Sequence, residues 1–282
     1  ALARFHGGGR GAAERIDRAL DAYGARPGAP VRQAMGYRRL ASGGTTIIFD
    51  AGDDERPVDQ AACAGLFCFE AALGRRPFVV NCGPGARLGP EWDEATRAAA
   101  AHNGLSLDDT PMAAPGHVSA VREGDETGLR LIAEHDGWME SRGLIHQRRI
   151  FLSGDGGDLR GTDLLTAAGP GPRAAFDQGT EGLGARFTLR FHLHPDVEAE
   201  LFLAGSAVKL RPGGGETWIM RQSGGALSLE KSAYIDEDRI APRATKQIVV
   251  RALMKDYRGE VKWTFRRAET ATPAASAAPA EA

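Results

Sequence analysis

The chain lacks several features that would assign it to a narrow class of protein. No apolar run approaches the ~20 residues of a transmembrane helix, and no signal peptide is visible at the start. Three cysteines are too few for a disulfide framework. The formal net charge is only −2, so no overall field draws the chain to nucleic acid. Phosphate-binding loops, dinucleotide fingerprints and nucleophile elbows are also missing.

The remaining pattern is that of an all-β protein. Apolar residues at helical spacing predict one helix at 10–23, ended by Gly24 and Pro27. Short β-type runs follow, separated by Gly, Pro and Asp, as at 45–51, 144–154 and 246–254. We therefore predict a large antiparallel two-sheet β-sandwich. A short N-terminal helical remnant precedes it, and a disordered Ala/Pro-rich tail follows it at 268–282.

Four stretches in order carry a resemblance to a known family. They are "YRRLASGGTTIIFDAG" (37–52), "AACAGLFCFEAALGRRPFVVNCG" (61–83), "TRAAAAHNGLSLDD" (96–109) and "QRRIFLSGDGGDLRGTDLL" (147–165). Their order and spacing resemble the C-terminal β-sandwich of the heparinase II/III-like polysaccharide lyases. The resemblance divides the chain into three parts: a helical remnant or linker at 1–30, the sandwich at 31–267 and the tail at 268–282.

The resemblance implies a function and a partner domain. These bacterial lyases join an N-terminal α/α toroid to the sandwich, and an acidic polysaccharide such as a glycosaminoglycan lies in the cleft between the two. We expect an upstream toroid to be needed for a complete cleft, because this chain contains almost none of it. The resemblance also favours the cell envelope or periplasm, with the cytoplasm as the alternative because no signal peptide is visible.

The chemistry of such a lyase suggests which residues form the site. β-Elimination at a uronic acid needs a base at C5, an acid at the leaving oxygen and a group that neutralises the carboxylate. We predict His102 as the catalytic residue, with Arg97, Asn103, Arg148 and Arg149 holding sugar carboxylates or sulfates. Because neighbouring strand residues face opposite ways, only one of Arg148 and Arg149 is expected to reach a given surface.

The resemblance also implies a zinc site, at positions where this chain departs from the family. The ligand positions fall on Cys63, Asn81 and His102, and the catalytic histidine position falls on Ala61. A thiolate and an imidazole bind zinc well, but a neutral amide oxygen is a poor ligand. We therefore expect no firmly bound cofactor, with zinc as the alternative.

Plainer roles exist for the same residue types. His102 at the start of a strand fits a hydrogen-bonding role as well as a catalytic one. Cys68 and Cys82 fit small apolar positions in a sheet core. His192 and His194 are expected on the solvated face of a half-buried strand. Two functions therefore stay open: a lyase of acidic polysaccharides, or a non-catalytic glycan-binding or structural sandwich that has lost its acid/base set.

Overall fold

The computed structural model describes Arg18 and residues 20–24, 32–52, 64–108, 110–236, 239 and 241–268. Within the predicted helix at 10–23, Arg18 and residues 20–22 are helical and Tyr23 is in a turn, and positions 10–17 and 19 lie outside the described residues. Residues 269–282 of the predicted tail at 268–282, and residues 53–63, which include Ala61 and Cys63, also lie outside them. The domain boundaries therefore stay predictions.

The described chain is an antiparallel β-sandwich, as predicted. Three short helices interrupt the strands: α1 (Pro90–Arg97), α2 (Met139–Arg142) and α3 (Pro170–Thr180). The strands are β1 (Gln33–Ala34), β2 (Tyr37–Ser42), β3 (Thr45–Asp50), β4 (Phe69–Leu73), β5 (Arg76–Val79), β6 (Leu105–Leu107), β7 (Val118–Asp125), β8 (Gly128–Trp138), β9 (Leu144–Ser153), β10 (Asp158–Thr166), β11 (Ala185–His192), β12 (Glu198–Phe202), β13 (Ala207–Arg211), β14 (Trp218–Ser223), β15 (Ala226–Tyr234), β16 (Arg243–Met254) and β17 (Arg258–Arg267).

The strands form two layers. One layer is an eight-stranded sheet in the order β12-β13-β14-β17-β10-β9-β8-β7. The other consists of a five-stranded sheet, β1 to β5 in order, and a four-stranded sheet, β15-β16-β11-β6. These two sheets meet where β5 reaches the end of β11, since the Val80 amide donates to the His192 carbonyl at 2.9 Å. The His194 amide also donates to the Phe78 carbonyl at 3.0 Å, which makes the second layer nearly continuous.

Aromatic side chains fill the space between the layers. Phe69 of β4 stacks on Trp263 of β17 with ring centroids 5.6 Å apart, and Phe191 of β11 meets the same indole edge-on at 5.0 Å. Phe78 of β5 packs on Trp218 of β14 at 5.5 Å. These residues are at most 1% exposed. Burying such a side chain contributes about 1.5–3 kcal/mol, so these contacts hold the two layers face to face.

The helices lie between strands and were not predicted. Helices α1 and α3 each begin with proline at the first helical position after a glycine with positive φ, Gly89 or Gly169. Proline is favoured there because its missing N–H would have no helical partner. Helix α1 buries none of its residues, so it lacks the apolar stripe that a sequence pattern could reveal. No helix in the described part of the chain is long and apolar enough to cross a membrane.

Candidate functional site

The stretch that contains His102 links helix α1 to strand β6. Helix α1 ends at Arg97, a 3-10 turn spans Ala99–Ala101, and β6 begins at Leu105. His102 has extended backbone angles, and its amide donates to the carbonyl of Ala99 at 3.2 Å. The side chain is 9% exposed. His102 is therefore largely buried in the connection just before β6, and its predicted catalytic role stays a prediction.

Asn103 connects several elements inside the sandwich. Its amide donates to Asn81 Oδ1 at 2.9 Å, and its Nδ2 donates to the carbonyl of Phe69 at 3.0 Å. Its Oδ1 accepts from the His192 amide at 2.6 Å, and its carbonyl accepts from Arg148 Nη1 at 3.0 Å. Asn103 is 0% exposed. All of its side-chain oxygen and nitrogen groups are thus bonded within the protein, so the side chain does not face a bound sugar here.

Asn81 also has a partner inside the protein. Its Oδ1 accepts from Asn103, its amide donates to Glu70 Oε1 at 3.1 Å, and the residue is 1% exposed. Because the amide oxygen is engaged, it is a still poorer zinc ligand than its chemistry alone implies. Across the residues that the structure describes, no group of three or more His, Cys, Asp or Glu side chains could hold a metal ion. Cys63 lies outside this part of the chain, so the zinc site as a whole stays a prediction.

Arg148 and Asp163 form a fully buried ion pair between strands β9 and β10. Arg148 Nε donates to Asp163 Oδ1 at 2.7 Å, and both side chains are 0% exposed. Arg148 Nη1 also donates to the carbonyls of Phe67 and Asn103. Trp263 Nε1 donates to Asp163 Oδ2 at 2.8 Å. The guanidinium thus binds an internal carboxylate, and the predicted contact of Arg148 with substrate is not available in this structure.

Two buried histidines extend this network. His135 Nδ1 accepts from the Gly137 amide at 3.1 Å, so His135 carries its proton on Nε2 when it is neutral. His135 Nε2 then donates to His146 Nδ1 at 3.1 Å, and His146 Nε2 donates to Asp163 Oδ1 at 2.9 Å. A single neutral tautomer of each ring satisfies the whole chain of hydrogen bonds from Gly137 to Asp163.

Burial sets the protonation of this network. Burial lowers the pKa of His135 well below its ordinary value, and the neighbouring His146 and Arg148 lower it further. The pKa of His146 is also lowered, because burial outweighs the contact with Asp163. Burial alone would raise the pKa of Asp163, but the charge of Arg148 and the hydrogen bond from His146 lower it to about 2. The network therefore holds one cation, one anion and two neutral imidazoles at neutral pH.

The predicted location of His192 and His194 was wrong. They are 2% and 6% exposed, and only His192 lies within β11. His192 Nε2 donates to the carbonyl of Ala100 at 2.9 Å, and Nδ1 lies 2.7 Å from Ser232 Oγ. The ring of His194 packs edge-on against Tyr234 at 4.9 Å. The turn before β6 and strand β15 thus cover these two side chains, and burial lowers the pKa of His192 to about 3.

Arg97 and Arg149 are the predicted substrate ligands that reach the surface. Arg97 Nε donates to Asp93 Oδ1 at 3.1 Å within helix α1. Arg149 is exposed on β9, on the side of the sheet opposite to Arg148, so the expected opposite orientation of this pair is confirmed. Arg97 ends helix α1, just before the turn that leads to His102, whereas Arg149 lies on the outward face of the eight-stranded sheet. The structure thus does not bring the predicted site residues together around one opening.

A polar groove lies beside the turn that precedes His102. It is lined by Ala99 and Ala100 of the turn and by Asp108, Arg190 and Arg251. Arg190 is half-buried and donates to Ser106 Oγ at 2.9 Å, and within the described part of the chain it has no ion pair. Arg251, in contrast, pairs with Glu230. Sequence reasoning missed this groove, although alternation on β11 places Arg190 on the same face as His192.

Comparison with known proteins identifies the class of this fold. Residues 25–264 match the family described as heparinase II/III-like, C-terminal. The heparan sulfate lyase HepC from Pedobacter heparinus superposes with a TM-score of 0.68 at 14% identity, over 92% of this chain and 40% of that one. The heparinase III-BT4657 gene product superposes with a TM-score of 0.66 at 12% identity, over 89% and 38%. The chain belongs to the heparinase II/III-like family.

A relative with a different name has a higher sequence identity to this chain than these two lyase structures have. FtsZ-localized protein C of Caulobacter vibrioides is 30% identical over 286 residues, which cover 95% of this chain and 49% of the relative. The chain therefore spans about half the length of this curated relative. The likeness to the lyase structures shows the shared fold.

Proposed function

We propose that this domain is a non-catalytic heparinase II/III-like sandwich that serves as a binding module in a protein acting together with FtsZ. The observation that carries this proposal is the 30% identity to FtsZ-localized protein C, which extends over 95% of the chain. Identity to the solved lyases is 12–14% over a comparable span.

The interior of the sandwich supports the loss of catalysis. Three of the residues predicted for sugar or metal binding, Asn81, Asn103 and Arg148, are at most 1% exposed. Arg148 Nε donates to Asp163, and the side-chain oxygens of Asn81 and Asn103 accept from backbone amides inside the fold. Groups that satisfy buried partners stabilise the fold and are not free to bind or to transfer protons to a polysaccharide. Ala61, at the position that resembles the catalytic histidine, cannot transfer a proton.

Direct binding to FtsZ tests the proposal. We expect the full-length protein to bind immobilised FtsZ from the same organism in biolayer interferometry. The heparan sulfate lyase HepC provides a matched control, because it shares the fold at 14% identity. Saturable binding of this protein, without binding of the lyase, is the expected result. Equal retention of both proteins, or of neither, would contradict a role with FtsZ.

A lyase acting on uronate-containing acidic polysaccharides is the second candidate. Family membership favours it, as does the groove beside the turn at Ala99–Ala101, which Arg190 lines. A half-buried guanidinium bonded to a hydroxyl group can still receive a sugar carboxylate. This candidate requires His102 to act as the base or acid, and it requires groups from an upstream toroid.

A further inference from the structure

Cationic side chains gather on the outward face of the eight-stranded sheet. Cross-strand pairing places Arg149 beside Thr162 and Thr162 beside Lys262. In the next row, Arg160 lies beside Thr264 on β17, and Thr264 lies beside Arg221 on β14. Arg266 follows Thr264 by two residues, so it points to the same side. We call this surface the basic face, and its cations are Arg149, Arg160, Arg221, Lys262 and Arg266.

The alternation of burial along the strands shows that the basic face points to solvent. The residues that alternate with these cations along β9 and β17 are at most 1% exposed: Arg148, Val261, Trp263 and Phe265. The five cations are all exposed. The inward side of the same strands is thus the core of the sandwich, and the outward side is an open sheet surface.

The basic face carries more positive than negative charge. Asp158 lies within it and accepts hydrogen bonds from Arg160 and Arg266. Glu260, at the margin, pairs with Lys262 and Arg258. Glu134, which accepts from Gln147, lies at the opposite margin. Five cationic side chains therefore surround one carboxylate, with two more at the edges, in a chain whose formal net charge is −2. The excess positive charge is local to this face.

Two arginines of the basic face have no internal counter-charge. Arg149 Nε donates to the neutral amide oxygen of Gln147 at 2.6 Å. Neither Arg149 nor Arg221 forms an ion pair with any residue that the structure describes. By comparison, Arg160 is held by Asp158 and lies over the ring of Phe151, 5.6 Å from its centroid. The basic face thus contains guanidinium groups that Asp158 holds in place, on Arg160 and Arg266. It also contains two, on Arg149 and Arg221, that are available to pair with a carboxylate of another molecule.

We propose that the basic face binds an acidic segment of a partner polypeptide. Guanidinium groups pair bidentately with carboxylates, and four of the five cations are arginines. Residues two apart on a strand lie about 6.7 Å apart, and neighbouring strands lie about 4.8 Å apart. Neighbouring cations such as Arg149 and Arg160 are offset by one strand and two residues, so they lie about 8 Å apart on the diagonal. Acidic residues that alternate along an extended segment repeat at about 6.7 Å, and long arginine and glutamate side chains span the small difference. This inference goes beyond the proposed function, because it requires neither FtsZ nor catalysis.

Fluorescence anisotropy with a labelled peptide of alternating Glu and Ser tests the inference on the full-length protein. We expect Arg149→Gln combined with Arg221→Gln to weaken binding by about tenfold or more, because two charge-assisted contacts are lost. The matched control combines Arg75→Gln with Arg186→Gln, two exposed arginines of the other layer. This control removes the same net charge and is expected to change the affinity by less than about twofold, since distant exposed charges are screened.

A second variant adds a negative charge to the basic face. Thr162→Glu places a carboxylate between Arg149 and Lys262 and should also weaken peptide binding, while thermal unfolding shows that the variant is folded. No binding by the unmodified protein, or equal losses in the test and control pairs, would overturn the proposal. Phosphatidylglycerol vesicles and heparin form two further arms. Binding of either in an Arg149- and Arg221-dependent manner, without peptide binding, would also overturn it and would assign the face to a lipid or a glycan.

Discussion

Asp163→Ala is expected to destabilise the domain by about 3–5 kcal/mol, the usual cost of leaving a buried charge without its partner. The substitution leaves the Arg148 guanidinium, which is 0% exposed, without a carboxylate. It also removes the acceptor of His146 Nε2 and of Trp263 Nε1. Urea unfolding followed by tryptophan fluorescence measures the change, since Trp263 lies within the network.

A double substitution separates the ion pair from the remaining packing. Arg148→Met together with Asp163→Ala removes both charges, so the double variant should be less destabilised than the sum of the two single variants. We expect a coupling free energy of about 1–3 kcal/mol from the double-mutant cycle. Additive losses would show that Arg148 and Asp163 do not act as a pair and would contradict the described geometry.

Acidification from about pH 6.5 to about pH 5.5 is expected to lower the free energy of unfolding by up to ~3 kcal/mol. His135, His146 and His192 are buried with lowered pKa values, that of His192 being about 3. Below the ordinary histidine pKa of 6.5, the unfolded chain takes up protons that the folded rings do not. Stability therefore falls with pH, by up to ~1 kcal/mol for each histidine over this range, because the unfolded imidazole is already half protonated at pH 6.5.

The carboxylate of Asp163 adds a second acid-sensitive range. Its folded pKa of about 2 lies below the ordinary value of 3.8, so its stabilising contribution is complete above that value and is lost as the pH falls towards 2. Urea unfolding across both ranges measures the two contributions. His192→Asn should reduce the slope between about pH 6.5 and 5.5 by about one third. His117→Asn, at an exposed position, is the matched control. An unchanged slope in His192→Asn would mean that His192 is not buried in its neutral form.

Alternation along the strands made much of the fold predictable. On β9, the opposite orientation of Arg148 and Arg149 followed from their adjacency, and the structure confirms it. The same alternation also contained an unused signal, because His146 and Arg148 share the inward face with Leu144 and Ile150. Polar residues at inward positions of a strand indicate a buried network.

Strand alternation could not predict whether a segment distant in sequence covers the face of a strand. Whether His192 faces water depends on Ala100 and Ser232, which are 92 and 40 residues away in sequence. Strand alternation alone placed His192 on a solvated face, because periodicity does not show that another segment covers that face. The role of Asn103 depends in the same way on Phe69 and Arg148, which come from two other strands. The family resemblance located these residues but did not show that they bond to one another.

The central claim is that this heparinase-like sandwich has exchanged catalysis for binding. The most direct test is the ultraviolet absorbance of unsaturated uronate products. The full-length protein, with its native upstream sequence, is mixed with heparan sulfate, chondroitin sulfate, hyaluronan and alginate, beside a His102→Ala variant and active HepC as a positive control. We predict no rise in absorbance for this protein with any of the four substrates, while HepC produces one with heparan sulfate. A rise that His102→Ala abolishes would contradict the account and would identify the protein as a lyase.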